Sequence, residues 1–182
     1  MELNDMNKLQ IGIIGSMADK QLSIQNIELS KNIGRLLAKN KVTLMFGFEG
    51  DHNSLSQIAA IEASRQKGIT VAFLWGKDQK FDLKIPNCTI ISTGQIRGGG
   101  RELALVLSCD ALIAISGGSG TLTEICFAYQ ADIPVIAFKN TGGWSNKLAD
   151  QFLDERKRGK ILGVTTAEEA VRLAIQLARR KI

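Results

Sequence analysis

At 182 residues, 45% hydrophobic but only 5% aromatic, the chain is long enough to bury an aliphatic core, and it reads as one domain over 1–182. A net charge of +5 suits an anionic ligand but is too dispersed for a nucleic-acid face, and no apolar run nears the roughly 18 residues of a membrane span. Three scattered cysteines (Cys88, Cys109, Cys126) and a single histidine, His52, exclude the common zinc sets. Buried free thiols are expected instead, and with them a reducing, cytoplasmic compartment.

Residues 1–8 are a polar lead-in without a signal-peptide pattern. Residues 9–16 predict a strand that ends at Gly15-Ser16. A helix follows over 24–39, with Ile24, Ile27, Ile33, Leu36 and Leu37 toward one face. Residues 42–47 form a second strand, which runs into the polar loop Phe48-to-Asn53. A helix over 54–66, a strand over 69–74 and a charged loop over 76–87 come next. After a short strand, 88–92, the chain enters the glycine-rich loop Gln95-to-Glu102. The helix over 101–108 is nearly all apolar, so it should be covered on every side, and a subunit interface is one way to do that. Strands at 111–115, 134–138 and 161–164 complete the set, with a polar helix at 145–157. A last helix, capped by Thr166-x-x-Glu169, carries Ala170, Leu173, Ala174 and Leu177. The densest basic group, Arg179-Arg180-Lys181, closes that helix, where cations favour the dipole. Apolar strands alternating with helices predict an α/β protein: a Rossmann-like, doubly wound, mainly parallel sheet with helices on both faces.

In such sheets ligands sit beyond the carboxyl ends of the strands, where strand order reverses. Gly15-Ser16, Gly47 with its loop, the Arg97-to-Arg101 loop and Ser116-to-Thr121 should therefore share one edge. The richest stretch is Ser116-Gly117-Gly118-Ser119-Gly120-Thr121-Leu122-Thr123-Glu124, which reads as strand end, glycine turn and helix start. Glycines let backbone amides converge, and a helix start offers unpaired donors with partial positive charge, so a phosphate fits there. Thr121-x-x-Glu124 also has the form of a capping box, which needs no ligand. Glu124, expected one turn inside the helix, is a candidate for chemistry. Arg101 follows three glycines, and its planar cation suits a phosphate or carboxylate; it can equally be a solvated or paired surface residue. Arg97 is a weaker candidate of the same kind. His52 reads as a loop residue, and nothing near Lys139 marks a pyridoxal phosphate site. The first strand lacks the full dinucleotide fingerprint, and there is no phosphate-loop lysine motif.

Arg101-Glu102, Ser108-Cys109-Asp110-Ala111, Gly117-to-Glu124 and Ile133-Pro134-Val135 together resemble the Lonely Guy, or lysine decarboxylase-like, family, which is related to molybdenum-cofactor carrier proteins and more distantly to the DprA Rossmann domain. The resemblance covers roughly residues 10–175. It implies a Rossmann-like fold, assembled as dimers or larger, and hydrolysis of the N-glycosidic bond of nucleoside 5′-monophosphates. It also implies catalytic roles for Arg101 and Glu124. Phosphate or nucleotide binding falls to Gly15, Ser16, Gly47, Gly117, Gly118, Ser119, Gly120 and Thr121. No metal and no cofactor is required, although a nucleotide or molybdenum cofactor can be the ligand. Two departures set this chain apart. Ser116 stands where the enzymes have proline, and the loop Gly47-to-Asn53, with Glu49 and Asp51, replaces a longer glycine motif. The Ser116 form brings it closer to the carrier branch, in which a nucleotide-like or pterin phosphate is held without clear turnover. A DNA-associated module is the reading from another class, and the short basic tail does little for it.

Overall fold

The computed structural model describes residues 9–15, 21–48, 53–76, 85–95 and 100–180. Seven strands alternate with six helices among them. Gln10–Gly15 (β1) leads to Ile24–Lys39 (α1), Thr43–Gly47 (β2), Leu55–Arg65 (α2) and Thr70–Leu74 (β3). Cys88–Ser92 (β4), Gly100–Leu107 (α3), Ala111–Ile115 (β5) and Ser119–Gln130 (α4) follow. Val135–Phe138 (β6), Gly143–Leu148 (α5), Leu162–Val164 (β7) and Ala167–Arg179 (α6) complete the order.

The strands form one sheet in the order β4-β3-β2-β1-β5-β6-β7, and every pairing is parallel. Successive strand residues point to opposite faces, which divides the aliphatic side chains into two cores. Ile11, Ile13, Leu44 and Phe46 join the core under α1, α2 and α6. Ile14, Met45, Phe73 and Leu112 join the other, under α3 and α4. The doubly wound, parallel α/β arrangement expected from the continuous apolar runs is therefore present. Only β4 departs from it: as an edge strand it leaves Thr89, Ile90, Ile91 and Ser92 exposed.

Local chemistry sets the helix starts. Ser23, Ser54 and Thr166 each accept a backbone N–H from three residues on, at 3.1, 3.1 and 3.2 Å. The Thr166-x-x-Glu169 cap is thus realised on its threonine side. Helices α1 and α2 pack closely because Gly34 has no side chain; a methyl group there would collide with the Ala59 carbonyl. On α1, Ile33 and Leu37 are buried as expected, whereas Ile24 is exposed. On α6 the buried stripe is Ala170, Val171, Ala174 and Ala178; Leu173 and Leu177 are half-buried.

The helix expected over 145–157 is a correction. Helix α5 stops at Leu148, and the chain then makes a closed loop to Ile161. Tertiary partners outcompete helix propagation there. Asp150 takes a positive φ of 64°, its N–H donates to the Ile161 carbonyl at 2.8 Å, and its carboxylate accepts from the Gly163 N–H at 3.1 Å. Lys139 pairs with the same carboxylate at 2.5 Å. Further along, Tyr129 on α4 donates its hydroxyl to Asp154 at 2.5 Å, and Arg156 pairs with that aspartate. The cysteines also depart in part from expectation: Cys109 is buried, while Cys88 and Cys126 are half-buried free thiols.

Candidate functional site

The chain winds outward from β1 to β4 and then returns, through α3, to lay β5 on the other side of β1. Strand order therefore reverses between β1 and β5, and a crevice opens beyond their carboxyl ends. Gly15 is the last residue of β1 and pairs with Ile115, the last of β5. Bareness at Gly15 is required, since a methyl group would lie 2.6 Å from the Ile115 carbonyl oxygen. Leu55, the first residue of α2, is packed against the same glycine. Gly47 ends the neighbouring strand β2 on the same edge.

Beyond β5 the backbone turns sharply. Ser116 and Gly117 both lie in the left-handed region, at φ 57° and 101°. Gly118 then caps α4 from an extended conformation, with no side-chain cap. Gly118, Ser119 and Gly120 are exposed at the mouth. Helix α4 starts three residues before the place the capping-box reading needs, with Gly118 rather than Thr121 at the N-cap. Thr121 is inside its first turn, and the capping box is not formed. The Thr121 side chain is buried beneath Gly117, where a methyl group on the glycine would come within 2.5 Å of it. Helix α5 braces the turn from outside: Trp144 N–H donates to the Gly117 carbonyl at 3.0 Å and Ser145 N–H to the Ser116 carbonyl at 2.9 Å. The Ser116 N–H in turn donates to Thr141 Oγ1 at 3.0 Å. The turn is thus held by its carbonyls, and the first amides of α4 lie at the open rim.

Arg101 and Glu124 approach this edge from one face of the sheet, on helices α3 and α4 that pack together. Neither is a solvated surface residue; they are 4% and 8% exposed. The Arg101 guanidinium lies over Gly47, where a methyl group would be 3.0 Å from Cζ and closer still to Nη1. Its Nη2 pairs with Glu102 Oε1 at 2.8 Å, and Nε donates to the same oxygen at 3.3 Å. Sequence reasoning passed over Glu102, which is as deeply buried as the arginine it pairs with. The signal was its adjacency to Arg101 in an otherwise apolar helix. Glu124 lies five residues past the start of α4, about 7.5 Å below the rim and a little over one turn inside the helix, as expected. Burial pushes the nearby Cys109 thiol up, and the Asp110 and Glu124 carboxylates push it in the same direction. Cys109 sits against Gly12 on the floor of this core. The arrangement offers a rim of backbone donors, a guanidinium oriented by its own carboxylate, and a second carboxylate deeper in.

Ser16, Glu49, Asp51, His52 and Arg97 lie outside the described residues. Of the predicted site, Gly15, Gly47, Arg101 and the Gly117-to-Thr121 turn are placed on the carboxyl edge of one sheet, with Glu124 on the helix that starts there.

Comparison with known proteins agrees with this architecture. The structure of TM1055 superposes with a TM-score of 0.79 at 23% identity, over 92% of this chain and 99% of that one. The molybdenum cofactor binding protein of Rippkaea orientalis gives 0.75 at 23% identity, over 94% and 98%. The molybdenum cofactor carrier protein of Chlamydomonas reinhardtii gives 0.75 at 21% identity, over 95% and 99%. In sequence, an uncharacterized protein of Archaeoglobus fulgidus is 29% identical over 134 residues, which is 74% of this chain and 82% of that protein. The model of the SLOG cluster4 family matches residues 8–171, nearly the whole of the sheet with its crevice, and the chain belongs to that family.

Proposed function

We propose that the crevice between β1 and β5 binds the phosphate of a nucleotide-like or pterin ligand, and that the chain serves as a carrier for such a phosphorylated cofactor. The observation that carries this reading is the start of α4: three exposed residues, Gly118, Ser119 and Gly120, open a helix without a side-chain cap at the switch point of the sheet. A phosphate there meets amides from Ser119 to Thr121, next to the strand ends at Gly15 and Gly47; binding by Ser16 belongs to the same proposal. Two features favour holding over turnover. Arg101 is already neutralised by Glu102, and the Ser116 turn takes a backbone form that the enzymes' proline cannot adopt. The solved proteins with this fold include molybdenum cofactor carriers, which supports a pterin phosphate as cargo.

A second reading is kept by the burial of Glu124. In a phosphoribohydrolase the N-glycosidic bond breaks, water adds to the sugar carbon, and the base leaves with a proton. Positive charge builds on the ribose, and a desolvated carboxylate stabilises it. Glu124 would take that role and Arg101 would hold the substrate. Neither reading requires a metal. The chain as one phosphate-binding domain, its place in the cytoplasm and its assembly as a homodimer or larger belong to the same proposal. The free thiols favour a reducing compartment. Among the described residues no helix is long and apolar enough to cross a membrane.

One experiment separates the readings. The protein is incubated with a panel of nucleoside monophosphates and a pterin phosphate, and bound ligand and free base are both measured. Binding without base release supports the carrier. Base release that vanishes in Glu124→Gln supports the hydrolase. In either case Gly47→Ala, by displacing the Arg101 guanidinium, should weaken binding by roughly tenfold, the loss of one charge-assisted contact. A protein that binds none of the panel rules out both.

A further inference from the structure

A second cavity of about 400 Å³ opens at the opposite edge of the sheet, beside the amino ends of β6 and β7. Its floor is apolar: Ile133, Pro134, Val135 and Leu177 line it. Its rim is cationic. Arg158 and Lys160 come from the loop before β7, and Arg180 from the end of α6, against the single carboxylate of Asp132. The basic end of α6 was conspicuous in the sequence, and the phosphate site does not use it. The loop supplies a contrast among its own cations. Arg156 pairs with Asp154, and Lys157 lies over the Phe152 ring at 5.9 Å. Arg158 and Lys160 instead face the cavity, and neither they nor Arg180 forms an ion pair among the described residues. The wall does not depend on exposed side chains to keep its shape. Tyr129, 7% exposed, receives the Arg158 N–H on its hydroxyl at 3.3 Å while donating to Asp154.

We infer that this cavity is a second binding site, for a small organic anion with an apolar body, such as an aromatic carboxylate or sulfonate. Its volume lies in the range of small-molecule sites, roughly 300–1,000 Å³, and an apolar floor with a few convergent charges is the usual composition of one. The apolar body replaces water on the floor, and the anion meets the three cations at the rim. A fully polar anion would leave the floor wet, and a neutral hydrocarbon would leave the cations unanswered. The site is separate from the crevice and stands whether or not that crevice binds phosphate.

The test uses two dyes that share an apolar body, anilinonaphthalene sulfonate and the neutral N-phenyl-1-naphthylamine, titrated into the full chain and followed by fluorescence. One sulfonate dye should bind per chain, more tightly than the neutral one, and saturating adenosine monophosphate should not displace it. The double variant Arg158→Ala/Lys160→Ala, made at two exposed positions, should weaken the sulfonate by about two- to fivefold per cation and leave the neutral dye unchanged. Leu177→Trp, which fills the floor, should abolish both while its circular dichroism matches wild type. Equal affinities for the two dyes, an unchanged double variant, displacement by the nucleotide, or half a dye per chain (a cavity shared by two copies) would each overturn the inference.

Discussion

Ser116 carries more of the site's character than its small side chain suggests. Its φ of 57° costs an L-residue roughly 1–2 kcal/mol, and it is held there by the Ser145 N–H on its carbonyl and by Thr141 on its N–H. Proline fixes φ near −65° and has no N–H, so Ser116→Pro should lose about 3 kcal/mol of stability in urea unfolding, while Ser116→Gly stays within about 1 kcal/mol of wild type. A proline variant as stable as wild type would rule out the left-handed turn at Ser116. Arg101 makes the same point about context. In the sequence it is a cation after three glycines, equally apt to be solvated. In the fold it is buried over Gly47 and answered by Glu102. Its burial follows from which strand α3 covers, and that information is not local.

Among the elements, the segment after α5 shows where local pattern fails. Residues 145–157 have helix-compatible composition, yet the chain leaves the helix at Ala149 because Asp150 finds better partners in Lys139 and the Gly163 N–H. The loop is then closed by charge. The Lys139 contact and the Gly163 N–H hold the Asp150 carboxyl below its ordinary value of 3.8, and Arg156 with Tyr129 holds Asp154 below the same value. The Tyr129 phenol, donating to Asp154, is raised above 10.0. The signs define a window. The depressed carboxyls contribute stability above about pH 3.8 that is lost as pH falls through their lower folded values; the raised phenol contributes below about pH 10 and loses it as pH rises through its higher one. Hydrogen exchange of the 150–161 amides should therefore be slow relative to unfolded rates from about pH 5 to 9 and lose protection first on the acid side, as the two carboxyls protonate. Protection that stays unchanged however far pH falls below 3.8, while the rest of the sheet is intact, would contradict the charge closure. Helix α3 gives the opposite lesson. Its nearly continuous apolar run was legible, and its need for cover remains: Leu103 and Leu107 are 39% and 57% exposed in the single chain.

For the whole molecule, that exposed face bears on assembly. If a second copy covers it, as the proposed homodimer requires, the wild-type melting temperature should fall with dilution, and Leu107→Glu should shift the chain toward monomer in sedimentation velocity and remove that dependence. A monomeric wild type would remove the proposal. The parallel, doubly covered sheet was readable from β1, β2, β5 and β6, whose unbroken Ile, Leu, Val and Ala runs need cover on both faces. The glycine turn after β5 was readable because a strand-to-helix junction with three glycines is a local backbone demand. Unbroken apolar runs, glycine punctuation and the Thr166 cap are properties of neighbours along the chain, and the sequence by itself determined those: an α/β sheet with a glycine turn and a helix start after Ile115. Only the tertiary structure decided that β5 returns beside β1, that Arg101 lies over Gly47 with Glu102, that Thr121 turns inward, and that the basic loop before β7 faces the end of α6. Those depend on contacts between residues tens of positions apart, which no local period encodes and which packing alone selects.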